Sequence, residues 1–264
     1  MATALIGGLV SSGADAREFR VVEPIRAQQD NLARQFPGIG FFGEVSAGAV
    51  DGAEIVVLAV KPQQLRVVAQ ALAHHVADVP VVMTIAAGVR LADVSRWMGG
   101  YQRLVRAMPN TPALIREGIS GAFGLPDAGA RGRELAQRVL EAVGQVLWVN
   151  REDMLDAVTG VSGSGPAYVF YFLEACEEAA QQLGFAPADA RRLAYATFAG
   201  AVALAQGSDA PPATLRAQVT SKAGTTERAV AVLEAGAVKA TIIAAVAAAA
   251  ERAQELGDAF GSEA

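Results

Sequence analysis

Residues Glu54–Pro62 read EIVVLAVKP, and this stretch decides the fold. Its first seven residues are almost all apolar and rich in β-branched side chains, which predicts a strand buried on both faces. A second run of the same kind, VPVVMTI, follows at Val79–Ile85, and Leu65–His75 between them has helical spacing. A strand, a helix and a strand in this order are typical of a parallel sheet with helices on its faces.

The same alternation continues to about residue 150, with one more helix predicted at Leu135–Val143. The remaining predicted strands are Arg20–Val22, Leu104–Met108, Gly121–Gly124 and Val146–Val149. We therefore predict an α/β fold over residues 1–150, a doubly wound, Rossmann-like dinucleotide-binding domain.

After Asn150 the strand patterns stop and only helical patterns follow. The predicted helices are Asp153–Gly160, Pro166–Leu183, Pro187–Gln206, Ala213–Val219, Thr226–Ala235 and Val238–Leu256. We predict that residues 151–264 form an all-α domain. Its apolar, alanine-rich stretch Thr241–Ala250 favours close packing against other helices, and a dimer would supply them.

The chain opens on a helical pattern, because Ala2, Leu5, Ile6 and Leu9 share one helix face. A dinucleotide-binding domain is expected to open with a strand and a glycine loop. Gly7 and Gly8 lie inside the predicted helix, so we interpret them as residues that allow close helix–sheet packing. We expect the first strand and glycine loop to be missing, and the chain as written to bind a dinucleotide weakly.

Composition excludes several classes of protein. The net charge of −5 and the absence of a Lys/Arg cluster argue against a nucleic-acid partner. The lone Cys176 excludes a disulfide framework, favours a reducing cytoplasmic location, and is predicted to be a buried thiol. The uncharged stretch Ala240–Ala250 is shorter than the ~20 residues of a membrane span. The adjacent His74 and His75 do not share a helix face, so no metal site is predicted.

Four motifs stand in order along nearly the whole chain, and together they resemble the pyrroline-5-carboxylate reductase family. The motifs are Ala59-Val60-Lys61-Pro62, Arg106-Ala107-Met108-Pro109-Asn110-Thr111-Pro112, Gly163-Ser164-Gly165-Pro166-Ala167-Tyr168, and Val219-Thr220-Ser221-Lys222-Ala223-Gly224-Thr225-Thr226. The last resembles the family signature, although the common form has Pro-Gly at Lys222-Ala223. The opening Ala4–Leu9 resembles the stretch that follows the glycine loop in the family.

The resemblance implies an enzyme that reduces 1-pyrroline-5-carboxylate to L-proline with NADPH or NADH. It also implies a homo-oligomer, either a dimer through the helical half or a ring of dimers. A cation such as Lys61 at the carboxyl end of a buried strand can attract cofactor phosphate. Glu23, after the strand that follows the first helix, can bond a ribose hydroxyl and so favour NADH; alternatively it simply faces solvent. The predicted cofactor-binding residues are Glu23, Ser46, Ala59, Val60, Lys61, Pro62, Ala86, Ala87 and Gly88.

The loop Ser221–Thr226 is the predicted substrate site. It leads directly into a helix, and the first N–H groups of a helix lack internal partners and attract anions. The α-carboxylate of the substrate fits such a cradle, and by the resemblance Thr226 contacts the substrate and is the catalytic candidate. The predicted substrate-binding residues are Ser164, Ser221, Gly224, Thr225 and Thr226. The alternative reading is that Ser164 and Thr226 belong to ordinary helix caps.

Two other functions remain open. One is another imine reductase or a β-hydroxyacid dehydrogenase, although the lysine that the latter usually needs is absent from Asp153–Tyr168. The other is an inactive, cofactor-deficient homologue that serves as a binding or regulatory protein.

Overall fold

The computed structural model describes residues 1–262, and these form two compact units. The first unit comprises Met1–Ser164 and the C-terminal residues from Ala248 onward, and the second comprises Gly165–Ala247. The last two residues of the predicted helical domain, Glu263 and Ala264, lie outside the described residues.

The strands of the first unit form two sheets. The strands are β1 (Arg20–Val22), β2 (Gly40–Phe42), β3 (Ile55–Leu58), β4 (Val81–Thr84), β5 (Leu104–Met108), β6 (Gly118–Gly124) and β7 (Gly144–Trp148). Strands β1 and β2 pair in parallel, and β3 to β7 form a five-stranded sheet in sequence order. All predicted strands are confirmed, and β2 was missed. Within residues 1–262, β1 pairs only with β2, and β3 only with β4.

Two strands run against the prediction of a parallel sheet, because β6 is antiparallel to β5 and β7 is parallel to β6. The connection between β5 and β6 is a short 3-10 turn at Thr111–Ile115. A parallel return needs a crossover of about a dozen residues or more, so this short connection leaves only an antiparallel neighbour. Every other pair in the two sheets is parallel.

Seven helices belong to the first unit. They are α1 (Ala2–Ser11), α2 (Arg26–Gln35), α3 (Ala47–Val50), α4 (Pro62–Leu72), α5 (Leu91–Trp97), α6 (Gly129–Glu141) and α7 (Met154–Val158). The predicted opening helix is confirmed as α1. A Cβ on Gly8 would overlap the carbonyl of Ala142, and one on Gly7 would lie 3.3 Å from the Phe36 ring. The two glycines therefore permit close packing, but against the end of α6 and against Phe36 and not against the sheet as predicted.

The core lies on both faces of the five-stranded sheet. Val81 and Met83 of β4 belong to one apolar cluster, whereas Val82 between them belongs to the other. Successive strand residues point to opposite faces, so β4 is buried on both sides and helices cover each. Burial of each such side chain stabilises the fold by about 1.5–3 kcal/mol. This arrangement confirms the doubly wound, Rossmann-like class.

The second unit is all helical. It contains α8 (Gly165–Gln182), α9 (Pro187–Gln206), α10 (Pro212–Gln218), α11 (Thr225–Ala235) and the first part of α12 (Val238–Ser262). Among its residues only Ala190 and Ala194 are buried. Large apolar side chains are exposed instead, including Phe170, Tyr171, Leu204 and Ile243. The unit therefore has almost no core of its own.

Within the described residues, no single helix has the length and apolarity to cross a bilayer. The bent pair Thr225–Ala235 and Val238–Gly261 passes that test jointly, on length and composition alone.

The connection into the helical unit is itself helical. Helix α7 continues through a π-helical turn at Thr159–Gly163 directly into α8. The Ser162 hydroxyl donates to the Val158 carbonyl at 3.0 Å instead of capping the next helix. A Cβ on Gly163 would lie 2.8 Å from Met108 Cε, so this glycine allows close packing and does not end the helix.

Candidate active site

Three turns meet at one edge of the five-stranded sheet. Strands β3, β4 and β5 are parallel neighbours, so their carboxyl ends lie side by side. Lys61-Pro62 follows β3, Ala86–Gly88 follows β4, and Pro109-Asn110 follows β5. Open α/β sheets bind their ligands at this edge. The predicted cofactor residues of the first two turns are thus brought together.

The turn after β3 presents an exposed cation. Lys61 precedes α4 as its N-cap residue, and Pro62 occupies the first helical turn. Within residues 1–262 no carboxylate pairs with the Lys61 ammonium group. Ala59 is also exposed, whereas Val60 packs partly against the core. This turn can therefore offer a positive charge to an anionic group.

The turn after β4 is small and close-packed. The Ala86 N–H donates to Thr84 Oγ1 at 3.2 Å, and Gly88 has a φ of +77° that favours glycine. A Cβ on Gly88 would lie 3.2 Å from Leu256 Cβ of α12, so this helix takes the space that the glycine leaves. Ala86 and Gly88 are buried and Ala87 is half-buried. Ala87 is thus the most accessible of the three.

Glu23 and Ser46 lie near the carboxyl ends of the two-stranded sheet. The Glu23 N–H donates to the Phe42 carbonyl, and its carboxylate accepts the Ile25 N–H at 2.9 Å, at the start of α2. Ser46 precedes α3 and makes no side-chain cap bond. The Glu23 carboxylate therefore already has an intramolecular partner, a role that its position in the sequence did not reveal.

The segment that begins with Glu152 is fastened to β5 by a buried ionic network, which sequence reasoning missed. Arg106 donates to Glu152 Oε1 at 3.2 Å and to Asp156 Oδ1 at 3.1 Å. The Arg106 side chain is only 3% exposed, against 21% for Glu152 and 13% for Asp156. No local sequence signal pointed to this network, because Glu152 precedes α7 and only Asp156 lies within that helix. At the exposed surface nearby, the hydrogen bonds from Arg151 lower the pKa of the Asp153 carboxyl.

Asn110 makes a second tie to the same segment. Its side-chain NH₂ donates to the Ser162 carbonyl at 3.2 Å, and its oxygen accepts the Ile119 N–H at 3.0 Å. Arg106, Met108 and Asn110 are alternate residues, so they share one face of the strand and its extension. This face holds the π-helical turn, and the predicted Ser164 ends that turn with its N–H donated to the Thr159 carbonyl.

The predicted substrate loop lies in the helical unit and is tightly folded. Gly224 is the N-cap residue of α11, and its N–H donates to the Ser221 carbonyl at 3.0 Å. A Cβ on Gly224 would overlap Ser221 Oγ, so a larger residue there would force the Ser221 side chain to move. Thr225 and Thr226 occupy the first turn of α11, where their N–H groups lack helical partners. Ser221, Gly224, Thr225 and Thr226 are thus brought together.

A carboxylate that the sequence analysis did not consider lies at this loop. Glu227 Oε2 accepts the Ala223 N–H at 2.6 Å. Glu227 is the third residue of α11, and a glutamate at that position often reaches back to a loop amide. It satisfies one loop donor and leaves the amides of the first helical turn for another anion.

Three residues without a predicted functional role are Trp97, Trp148 and Cys176, and the two tryptophans pack against other side chains. Trp97 is buried in the core, and the Trp148 ring stacks under the Arg133 guanidinium. The prediction for Cys176 is wrong, because its thiol is exposed on α8. The helical unit has almost no core, so a position on α8 does not bury the Cys176 side chain. Among residues 1–262 no group of three or more His, Cys, Asp or Glu side chains could hold a metal ion.

The chain is similar to known proteins along nearly its whole length. A family model described as pyrroline-5-carboxylate reductase dimerisation matches residues 152–256, and one described as NADP oxidoreductase, coenzyme F420-dependent, matches residues 1–88. The pyrroline-5-carboxylate reductase of Pseudomonas aeruginosa is 41% identical over 261 residues, covering 99% of this chain and 95% of that protein. That of Pasteurella multocida is 36% identical, covering 98% and 95%.

This chain belongs to the pyrroline-5-carboxylate reductase family. The solved pyrroline-5-carboxylate reductase of Coxiella burnetii has the same fold, with a TM-score of 0.90 and 36% identity over 97% of this chain and 94% of that one. Within the pyrroline-5-carboxylate reductase signature, this member departs at Lys222-Ala223. Ala223 has a φ of +58°, a left-handed conformation that L side chains adopt at a cost.

We expect Ala223→Gly to raise the free energy of unfolding by about 0.5–1 kcal/mol. Relief of the left-handed strain, about 1–2 kcal/mol, outweighs the greater chain entropy of glycine, about 0.5–1 kcal/mol. Urea denaturation at a fixed protein concentration measures the change. The control Ala229→Gly, inside α11, should lower the same quantity by about 1 kcal/mol. Destabilisation by both variants would show that Ala223 is not strained.

Proposed function

We propose that this chain reduces 1-pyrroline-5-carboxylate to L-proline, the last step of proline biosynthesis, with a hydride from NADPH or NADH. Family membership over nearly the full chain is the observation that carries the proposal. The chain is accordingly an oxidoreductase, and the NADP oxidoreductase match over residues 1–88 supports use of a nicotinamide cofactor.

The residues at the carboxyl edge of the sheet fit such a cofactor. Lys61 is an exposed cation suited to a phosphate, and Ala86, Ala87 and Gly88 form a turn without bulky side chains. We assign cofactor contacts to these residues, to Ala59, Val60 and Pro62 beside them, and to Glu23 and Ser46 on the adenosine side. The cofactor, when bound, supplies the hydride, and the chain supplies binding and orientation.

The substrate contacts are assigned to Ser164 and to the loop Ser221–Thr226. The unpartnered amides at the start of α11 carry partial positive charge and suit the substrate's α-carboxylate. Gly224 keeps this approach free of a side chain. Thr226, half-buried in the first turn, adds a hydroxyl that can donate to the same carboxylate.

The reaction asks for little acid–base machinery from the chain. The C=N bond of the substrate, in its protonated form, accepts the hydride at carbon, and the nitrogen keeps its proton as an amine. Fixing the carboxylate restrains the ring and so orients the accepting carbon, which is catalysis by proximity and orientation. A general base is not required by this scheme. Its direct test is imine-dependent oxidation of NADPH or NADH with L-proline as the product; absence of that product would overturn the proposal.

We infer further that the chain is a homodimer or a ring of dimers, located in the cytoplasm, with no nucleic-acid or membrane partner. The helical unit exposes Phe170, Tyr171, Leu204 and Ile243, and a second copy could cover such an apolar surface. The match of residues 152–256 to a dimerisation domain supports a homo-oligomer.

Thr226→Ala should lower kcat/KM for 1-pyrroline-5-carboxylate by roughly ten- to a hundredfold, because a hydrogen bond to a charged group contributes about 1.5–3 kcal/mol. The affinity for NADPH should hardly change. Steady-state kinetics and a cofactor titration measure the two effects. The control Thr197→Ala removes an exposed helix hydroxyl that bonds only the Leu193 carbonyl, and it should leave kcat/KM unchanged. An unchanged value for Thr226→Ala would place the carboxylate elsewhere.

Glu23→Ser should shift preference toward NADPH by about fivefold in the ratio of kcat/KM values. Loss of one negative charge near a 2′-phosphate removes about 1 kcal/mol of repulsion at ~4 Å in water. Kinetics with both cofactors give the ratio. Glu18→Ser, in the 3-10 turn before β1, is the matched control and should not move it. If the ratio of kcat/KM values stays constant in both variants, the Glu23 carboxylate accepts the Ile25 N–H and does not contact the cofactor.

Sedimentation at micromolar concentration should give the mass of a dimer or a multiple of it, because the helical unit buries so little by itself. The double variant Phe170→Ser/Ile243→Ser, which makes the exposed apolar surface polar, should shift the equilibrium toward monomer. A wild-type chain that sediments as a stable monomer would contradict the dimer.

A further inference from the structure

The carboxylate of Glu152 joins two parts of the first unit that are distant in sequence. Its Oε1 accepts the backbone N–H of Leu91 at 2.8 Å and a guanidinium N–H of Arg106 at 3.2 Å. Leu91 begins α5, three residues after Gly88. One oxygen therefore links the turn assigned to the cofactor with the start of the segment that leads to Ser164.

The second nitrogen of Arg106 extends the link into α7. It donates to Asp156 Oδ1 at 3.1 Å, and Asp156 lies in α7, which ends where the π-helical turn begins. Asn110 then holds the Ser162 carbonyl at the far end of that turn. The segment from Glu152 to Ser162 is thus held at both ends by side chains from β5 and its extension.

The chemistry of arginine suits this linkage better than it suits simple packing. A guanidinium group is planar and always charged, and it can donate from different nitrogens to two partners at fixed angles. At 3% exposure, Arg106 has almost no water to replace a lost carboxylate. A buried ion pair is a weak source of net stability, because desolvation offsets much of the attraction. It does specify one arrangement, since any shift would leave a buried charge unmatched.

We propose that Arg106 is a positioning residue for hydride transfer. Through Glu152 it fixes the cofactor turn Ala86–Gly88, and through Asp156 it fixes the π-helical turn that ends at Ser164. This role rests on the proposed function, because it needs cofactor and substrate contacts at these two turns. Transfer between two bound molecules is sensitive to displacements of about 1 Å, so a network that holds both turns acts on the rate of the chemical step.

The network can be tested first without catalysis, by hydrogen exchange in the full chain. Arg106→Lys keeps the charge but loses the planar fork. It should speed exchange of the Leu91 and Ser164 amides by about tenfold, while the amides of β4 change little. Asp156→Asn weakens only the second arm, so it should affect Ser164 and spare Leu91. Arg131→Lys is the matched control, because the exposed Arg131 also bridges two carboxylates, Glu54 and Glu134, and should alter neither amide.

Kinetics then separate positioning from plain stability. With deuterated cofactor, Arg106→Lys should lower kcat about tenfold or more and raise the primary isotope effect on kcat, because the chemical step becomes slower. A loss of folded protein alone lowers kcat and leaves the isotope effect unchanged. Should Arg106→Lys fail to fold, Asp156→Asn carries the test, with faster exchange expected at Ser164 alone and with smaller changes in kcat and in the isotope effect.

Faster exchange spread evenly over the unit, or a lower kcat with a constant isotope effect, would overturn the proposal. Local exchange changes at Leu91 and Ser164 together with a raised isotope effect would support it. A wild-type chain that reduces no imine would count against the proposed function itself, and the exchange pattern would still decide whether Arg106 holds the two turns.

Discussion

The buried charge of Arg106 is the constraint on which the arrangement of the candidate site depends. A guanidinium group buried at the middle of the central strand β5 must be matched, and Glu152 and Asp156 match it. Removal of one partner from such a buried group costs about 3–5 kcal/mol, because the remaining charge is left without compensation. The requirement therefore fixes where α7 can lie against β5, and with it the turn that ends at Ser164.

A second constraint acts on the helical unit. The apolar and small residues of this unit have helical spacing, yet only Ala190 and Ala194 are buried among Gly165–Ala247. Apolar surface of this extent favours association with another apolar surface. Helix α11 follows the proposed substrate loop and also contributes Val232 and Leu233 to the exposed apolar surface of the same unit. Oligomer formation and substrate binding are therefore expected to depend on each other.

Much of the fold could be predicted from the sequence because its signals are local. The continuous apolar runs of β3 and β4 mark buried strands, and the helical spacing after Asn150 marks the all-α half. The antiparallel β6 and the short β2 could not be predicted in the same way. The direction of a strand depends on how the connection before it packs. The strand Gly40–Phe42 has too few residues to show an alternation of apolar and polar side chains.

In the candidate site too, local features could be predicted from the sequence and long-range contacts could not. Turns that directly follow strands, such as those at Lys61 and Ala86–Gly88, could be located from sequence because parallel strands bring them to one edge. The network of Arg106 with Glu152 and Asp156 could not, because it joins residues about 50 positions apart through side chains. The π-helical turn was missed for a related reason: Gly160 and Gly163 suggest a break, while packing against Met108 keeps the helix continuous.

A crystal structure of the chain with NADP⁺ and L-proline tests the proposed substrate site most directly. We expect the proline carboxylate at hydrogen-bonding distance from the backbone amides of Thr225 and Thr226, with the Thr226 hydroxyl among its donors. A proline carboxylate bound elsewhere, with those amides facing solvent, would contradict this expectation.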